Sequence, residues 1–240
     1  MTTSYLHRRG ELRTYFDRTA ADTWARLTSD APVSRIRATV RAGRDAMRDV
    51  LLGWLPADLT GMRVLDAGCG TGALAVEAAR RGAEVIAVDI SESLIDVARE
   101  RLPGKLPGSV TFRVGDMLDP AFGDFDHVVA MDSLIHYSPE DVLHSLEQLA
   151  ERTQRSMQFT FAPSTPALEV MHRVGKLFPR SNRSPAIVPI AELELTEMLG
   201  QHRSLSGWRR AETRRVSSGF YKSQALRLCA SGHDDEEINP

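Results

Sequence analysis

The sequence predicts an α/β fold, a seven-stranded, mostly parallel sheet with helices on both faces. It also predicts a helical cap ahead of the sheet and a helix inserted after the fifth strand. Two observations carry this. From about residue 62, short runs rich in Val, Ile, Leu and Phe alternate with stretches whose apolar residues recur every three or four positions, the pattern of strands joined by crossover helices. Between the first run and the first helical stretch sits a glycine-rich turn, GCGTG at residues 68–72, which makes the sheet Rossmann-like.

Taken in order, the strands are RVLDAG, EVIAVDI, VTFRVGD, DHVVAMDS and SMQFTFA. Helices fall at GALAVEAARRG, SESLIDVARERL and PEDVLHSLEQLAERT. Ser91 suits the N-cap of the second, with Glu92 in its first turn. After a helical AELELTEMLGQH, residues 204–230 read as two more strands, an antiparallel pair at the end of the sheet. This core spans residues 57–231.

Residues 1–56 form the cap. Leu12, Tyr15, Phe16, Thr19, Trp24 and Leu27 share one side of a first helix. In a second helix Val33, Ile36, Val40, Met47, Val50, Leu51 and Trp54 fall roughly in register, which turns Arg35, Arg37, Arg41, Arg44 and Arg48 mostly to the outer surface. Residues 163–190 insert one short amphipathic helix between proline-punctuated turns, and residues 232–240 read as a disordered, solvated acidic tail.

The composition excludes several classes. A chain of 240 residues has room for one large domain with a substantial core. Its net charge is −2, and without the four acids of the tail it would be +2. The two cysteines, Cys69 and Cys229, show no paired spacing, so neither a disulfide framework nor a metal cage is expected, and a reducing cytoplasm is the natural compartment. Charges interrupt the N-terminal residues, and no run approaches the ~18 apolar residues of a membrane span.

The motif VLDAGCGTG, residues 64–72, names a cofactor. Glycine at 68, 70 and 72 lets the backbone approach a ligand, and the helix that follows brings its N-terminus to the same place. Dinucleotide enzymes use G-x-G-x-x-G, whereas here the spacing is G-x-G-x-G with Asp66 two residues earlier. A pyrophosphate would be repelled by that acid, while the α-ammonium of S-adenosylmethionine would be attracted. Asp89 lies seventeen residues after Gly72, close to the ~20-residue offset of a ribose-binding acid. Asp116 can accept from the adenine amine and Met117 can pack on its ring. Cys69 is a small loop residue, and with Gly68, Gly70, Ile90 and Met131 it completes the candidate cofactor site. Over residues 62–160 the pattern resembles class I S-adenosylmethionine-dependent methyltransferases.

The acceptor should sit at the end of the fourth strand, where MDSLIHY begins at Met131. Enzymes that methylate base or amide nitrogens carry an N-P-P-Y-like run there. Its absence disfavours those acceptors, and without an arginine-rich arm interleaved with aromatics no nucleic-acid partner is expected. His136 either caps or packs, or addresses the substrate, and its place at this strand end favours the last. Asp132 and Tyr137 remain open between structural and functional roles.

Outside the core, TYFDRTAADTWARL, VSRIRATVRAGRDAM, MDSLIHY, FTFAPSTPALEVMHRVGKLFPRSNRSP and SSGFYKSQALRL together resemble the magnesium protoporphyrin IX O-methyltransferase family of bacteriochlorophyll and chlorophyll synthesis. The resemblance implies methyl transfer from S-adenosylmethionine to one propionate of magnesium protoporphyrin IX, giving the monomethyl ester, with magnesium present only as part of the substrate. Tyr15 and His136 match the arm tyrosine and the post-strand histidine implicated in that catalysis. In the insertion, Leu168, Val170, Met171, Val174, Leu177 and Phe178 form an apolar stripe, with His172, Arg173, Lys176, Arg180 and Arg183 around it. That set suits a dianionic porphyrin or a membrane headgroup level. Contact with a magnesium chelatase subunit and a peripheral place on the inner membrane stay open. So do two rival readings: an O-methyltransferase for a quinone precursor or another hydroxyl compound, and a non-catalytic porphyrin carrier, against which the acids at 66, 89 and 116 argue.

Overall fold

The computed structural model describes residues 2–17, 34–164 and 186–232. The inserted helix and the acidic tail read from the sequence, together with Thr19, Trp24, Leu27, Val33 and His172, lie outside the described residues. Strands β1 (Arg63–Ala67), β2 (Glu84–Asp89), β3 (Ser109–Val114), β4 (Phe125–Ala130) and β5 (Thr153–Pro163) pair in parallel. The hairpin of β7 (Trp208–Ser218) and β8 (Tyr221–Ala230) continues the sheet through antiparallel pairing of β8 with β5. The spatial order is β3-β2-β1-β4-β5-β8-β7, the expected seven strands, and a two-residue β6 (Pro189–Ile190) adds to the end of β5. Because strand order reverses between β1 and β4, their carboxyl ends flank a crevice.

Each helix follows from its local sequence. Helix α4 (Glu92–Glu100) starts at Ser91, whose side chain accepts from the Leu94 N–H, and buries Leu94, Ile95 and Ala98. Helix α5 (Pro139–Ala150) starts at Ser138, with proline in the first turn and Glu140 and Asp141 beside its positive end. Helix α3 (Ala73–Arg80) differs: its N-cap is Gly72, at φ 78°, with no side chain to cap it. A Cβ there would meet the Phe112 ring at 2.6 Å.

The cap divides into two helices. Helix α1 (Thr3–Tyr15) begins well before Leu12, because Thr2 caps it and Tyr5 is buried at its start. Helix α2 (Arg35–Gly53) buries Met47, Leu51 and Leu52 against the sheet and runs past the β7–β8 hairpin. Gly43 lets it come close: a Cβ at Gly43 would lie 2.5 Å from Cδ1 of Tyr221.

That contact separates two opposing effects. Alanine is favoured over glycine within a helix by ~1 kcal/mol, but overpacking a fixed ring costs roughly 1–3 kcal/mol. Gly43→Ala is therefore expected to lower stability, while Gly10→Ala on α1, with nothing within 4 Å of its Cβ, should raise it. Chemical denaturation of the two variants checks this, and a Gly43→Ala protein as stable as wild type would mean that the Tyr221 ring is free to move.

Candidate functional site

A cavity of about 520 Å³ opens at the carboxyl ends of β1, β2 and β4. On one side it is lined by Asp66, Gly68, Cys69 and Gly70 from the first loop. Asp89 and Ile90 from the end of β2, and Met117 and Met131, join them. His136 and Tyr137 line the same cavity beyond the end of β4.

Asp66 is 1% exposed, and its Oδ2 has no hydrogen-bond partner among the described residues. Burial pushes its carboxyl up to about 7, opposed by a hydrogen bond from the Ala75 backbone and reinforced by the Asp89 charge. An orphaned, desolvated carboxylate oxygen on a cavity wall is matched to a cation such as an α-ammonium group. The Asp89 oxygens accept from the Gly70 and Ser91 N–H groups at 2.8 and 2.9 Å, which fixes the carboxylate while each oxygen keeps a further lone pair for a ribose hydroxyl. Burial raises this carboxyl too. At Gly68, φ is 84° and a Cβ would strike the Cβ of Ser133 at 2.3 Å, so only glycine lets the loop lie this close to β4's end. These residues fit S-adenosylmethionine. Desolvation, then the Asp66 and Asp89 charges, hold the Cys69 thiol well above its ordinary value, so it stays protonated and is no nucleophile.

Two expected site residues are placed differently. Asp116 does not line the cavity. Its Oδ1 accepts from the Tyr5 hydroxyl at 2.7 Å and its Oδ2 is paired with Arg9, so burial and charge turn it to α1 and leave Met117 on the cavity wall. Tyr15 is half-buried and also lies off the wall; its ring meets Phe16 edge-on at 5.2 Å, and Phe16 is the one that lines the cavity. Phe16 in turn meets the His136 ring at 6.4 Å, 62° between planes.

His136 is buried, with its Nδ1 3.3 Å from the carbonyl oxygen of Ala186. A carbonyl can only accept, so Nδ1 carries the proton in that bond and the neutral ring keeps its lone pair on Nε2. Burial lowers its basicity below the ordinary histidine value, and the Ala186 bond acts against that shift. Tyr137 is held by stacking on Tyr5, centroids 4.9 Å apart, and burial raises both hydroxyls.

Asp132 forms the structural centre of this end. At φ 55° it is the one non-glycine residue with positive φ among those described. Its carboxylate accepts from Arg44 at 2.6 Å and from the hydroxyls of Tyr221, Ser223 and Thr160 at 3.1–3.3 Å. Arg44 does not face outward as the helical pattern suggested, and Arg41 and Arg48 line the cavity with it. Residues 41, 44 and 48 share one helix face by their spacing, a signal that fits a cavity wall as well as it fits a solvated surface. Tyr5 had no sequence signal beyond being aromatic, and Tyr221 entered only as part of the SSGFYKSQALRL run.

A parallel sheet reversing at β1/β4, a glycine loop under an orphaned buried acid and a second acid at the end of β2 define a class I S-adenosylmethionine-dependent methyltransferase. A general "Methyltransferase domain" description matches residues 64–155, and "Magnesium-protoporphyrin IX methyltransferase C-terminus" matches residues 130–230. Magnesium-protoporphyrin O-methyltransferase of Rhodobacter capsulatus is 53% identical over 227 residues, which is 94% of this chain and 98% of that one. Its counterpart in Synechocystis sp. is 32% identical over 96% of this chain and 100% of its own. The crystal structure of magnesium protoporphyrin IX methyltransferase from Synechocystis PCC 6803 with bound SAH superposes with a TM-score of 0.82 at 31% identity, covering 93% of this chain and 100% of that one. The chain belongs to the magnesium-protoporphyrin O-methyltransferase family.

The raised Asp66 carboxyl has a measurable consequence. An ammonium partner favours the ionised form, so cofactor binding near pH 6 should release about one proton, fading above pH 8 where Asp66 is already ionised. Calorimetry in buffers of different ionisation enthalpy reads this directly. Asp66→Asn should abolish the buffer dependence and weaken binding by ~1.5–3 kcal/mol. Identical heats in all buffers would remove Asp66 from the ammonium site.

Proposed function

We propose that this protein transfers the methyl group of S-adenosylmethionine to one propionate carboxylate of magnesium protoporphyrin IX, giving the monomethyl ester. The observation that carries the reading is one continuous cavity, acid-lined at the glycine loop and walled elsewhere by Phe16, Ile187 and Phe220 beside arginines of α2. A flat apolar dianion fits the second part and a sulfonium amino acid the first. When bound, S-adenosylmethionine supplies an electrophilic methyl group on a cationic sulfur.

The protein's own task is alignment and exclusion of water. A propionate has an ordinary pKa of ~4–5 and is a nucleophile in water without help. Inside a desolvated cavity its carboxyl is pushed up, and a base becomes useful. His136 is placed for that, with Nδ1 engaged by Ala186 and Nε2 able to take the carboxyl proton. Phe16 covers the ring of His136, and Tyr15 acts through Phe16. With water excluded, opposite charges on carboxylate and sulfonium cancel in the transition state against little competing solvation.

Among the described residues no helix is long and apolar enough to cross a membrane. Phe220, 72% exposed, and Ile187, 43% exposed, stand on the cavity wall and support a peripheral contact through which a poorly soluble porphyrin would enter, from a membrane face or from the enzyme that inserts magnesium.

Incubation with magnesium protoporphyrin IX and S-adenosylmethionine should yield the monomethyl ester by mass spectrometry; no ester, with phenolic quinone precursors methylated instead, would overturn the reading. His136→Ala should lower turnover by no more than ~10²–10⁴-fold with cofactor affinity kept. Because its pKa is lowered, His136 is neutral at pH 7, and the rate should fall only as pH drops through a value below the ordinary 6.5. A normal rate per folded molecule in His136→Ala would remove the base. Tyr15→Phe should keep most activity and Tyr15→Ala should not; equal losses in both would assign a direct role to the Tyr15 hydroxyl.

A further inference from the structure

A dicarboxylate porphyrin brings two negative charges to the cavity, and methylation consumes only one. The second propionate is bound in a partly desolvated cleft, where an anion without a cation or donors is costly. Asp66 and Asp89 make the glycine-loop end unsuitable for it. The opposite condition holds along α2. Arg41, Arg44 and Arg48 line the cavity from one helix face, and Lys222 joins them from β8. Gly219, at the tip of the same hairpin, has Thr39 of α2 2.4 Å from where its Cβ would be, which holds the hairpin against that helix.

Two carboxylates line this wall with them. Asp132 is taken by Arg44 and three hydroxyls, and Asp45 pairs with Arg48 at 2.9 Å. Four basic side chains and two acids thus stand together on this wall among its described residues. A further detail points to a ligand: Arg48 lines the cavity, and its Nε is buried without a hydrogen-bond partner among the described residues. The Asp45 pair leaves this Arg48 donor unsatisfied.

We propose that Arg41, Arg48 and Lys222 form a carboxylate subsite that holds the propionate which is not methylated, with the Arg44–Asp132 pair fixing the wall behind it. The inference rests on the dicarboxylate porphyrin reading above. Guanidinium groups bind carboxylates through paired N–H donors and orient them, which a flexible ammonium alone does less well. Held there, the second propionate fixes the macrocycle so that only the first reaches the methyl group, and the reaction ends at one ester.

The test compares two porphyrin substrates. One is magnesium protoporphyrin IX; the other is its regioisomeric monomethyl ester, esterified on the propionate that the enzyme leaves free, so that only the reactive carboxylate remains. Wild type should show a KM at least ~10-fold lower for the diacid, the worth of one charge-assisted contact. In Arg41→Gln/Arg48→Gln/Lys222→Gln the two KM values should converge, and in the charge-conserving Arg41→Lys/Arg48→Lys/Lys222→Arg most of the gap should return. SAH affinity of each variant reports folding. Should the triple neutral variant lose it, the same ratio is read on Arg48→Gln alone, where the gap should shrink. A wild type that does not distinguish the two porphyrins, or a neutral variant that keeps the full gap, overturns the subsite while leaving the methyltransferase reading intact. A wild type that methylates neither porphyrin overturns that reading itself.

Discussion

The turn at the end of β4 depends on a single carboxylate. Asp132 sits at φ 55°, a region that asparagine and aspartate tolerate but other side chains seldom adopt. Its backbone N–H donates to the Thr160 hydroxyl at 2.7 Å, and its carboxylate collects Arg44 and the Tyr221, Ser223 and Thr160 hydroxyls. A buried ion pair contributes little net stability against an apolar alternative, yet losing one partner costs several kcal/mol, roughly 3–5. Its value here is geometric. It ties α2, β5 and β8 to the end of β4. Four residues on, the short 3₁₀ turn Leu134–His136 sets the imidazole facing the cavity. Ile135 then accepts from the Val188 N–H at 2.8 Å, so the chain returning at residues 186–190 is fastened to the same turn.

Much of this was legible in the sequence, for identifiable reasons. Strands β1 to β5 are buried apolar runs between helices of clear 3.6-residue period, and a parallel sheet needs both. The acids at the ends of β1 and β2 stand out because charge at the end of a buried strand has few structural excuses. Asp116 had the same signal and a different outcome, since its partners Tyr5 and Arg9 come from a helix more than a hundred residues away, which no local pattern records. The arginines of α2 were misplaced for a related reason. Helical periodicity separates an apolar face from a polar one, but it does not say whether the polar face meets water or the wall of a cavity. Only the hairpin lying across α2, with Tyr221 over Gly43, decides that.

The cavity is consequently polarised. Asp66 and Asp89 gather at the glycine loop, and Arg41 and Arg48 of α2 with Lys222 of β8 line the opposite wall. In the proposed arrangement a sulfonium cofactor and a carboxylate substrate are thereby drawn to separate ends and meet between them with opposite charges facing. Field lines inside a low-dielectric cleft are weakly screened, so the arrangement orients both ligands before any contact is made. The same field disfavours the reversed placement, in which a propionate would face two carboxylates. Specificity of this kind comes from repulsion as much as from attraction.

Charges at the reacting centre and charges remote from it then have different consequences. Transfer of the methyl group neutralises both the carboxylate and the sulfur, so the attraction that assembled the centre disappears with the reaction. In the proposed arrangement an ammonium group opposite Asp66, ribose hydroxyls opposite Asp89 and a second propionate on the arginine wall are all unchanged by it. Interactions of that remote kind hold ground state and transition state alike; they lower KM and position the reactants without themselves lowering the barrier. In the proposed mechanism the barrier is left to the short stretch between them, which Phe16, His136 and Tyr137 line and where His136 takes up one proton. Division of labour along one cavity explains why so few titratable groups stand at the centre of the site and so many stand at its two ends.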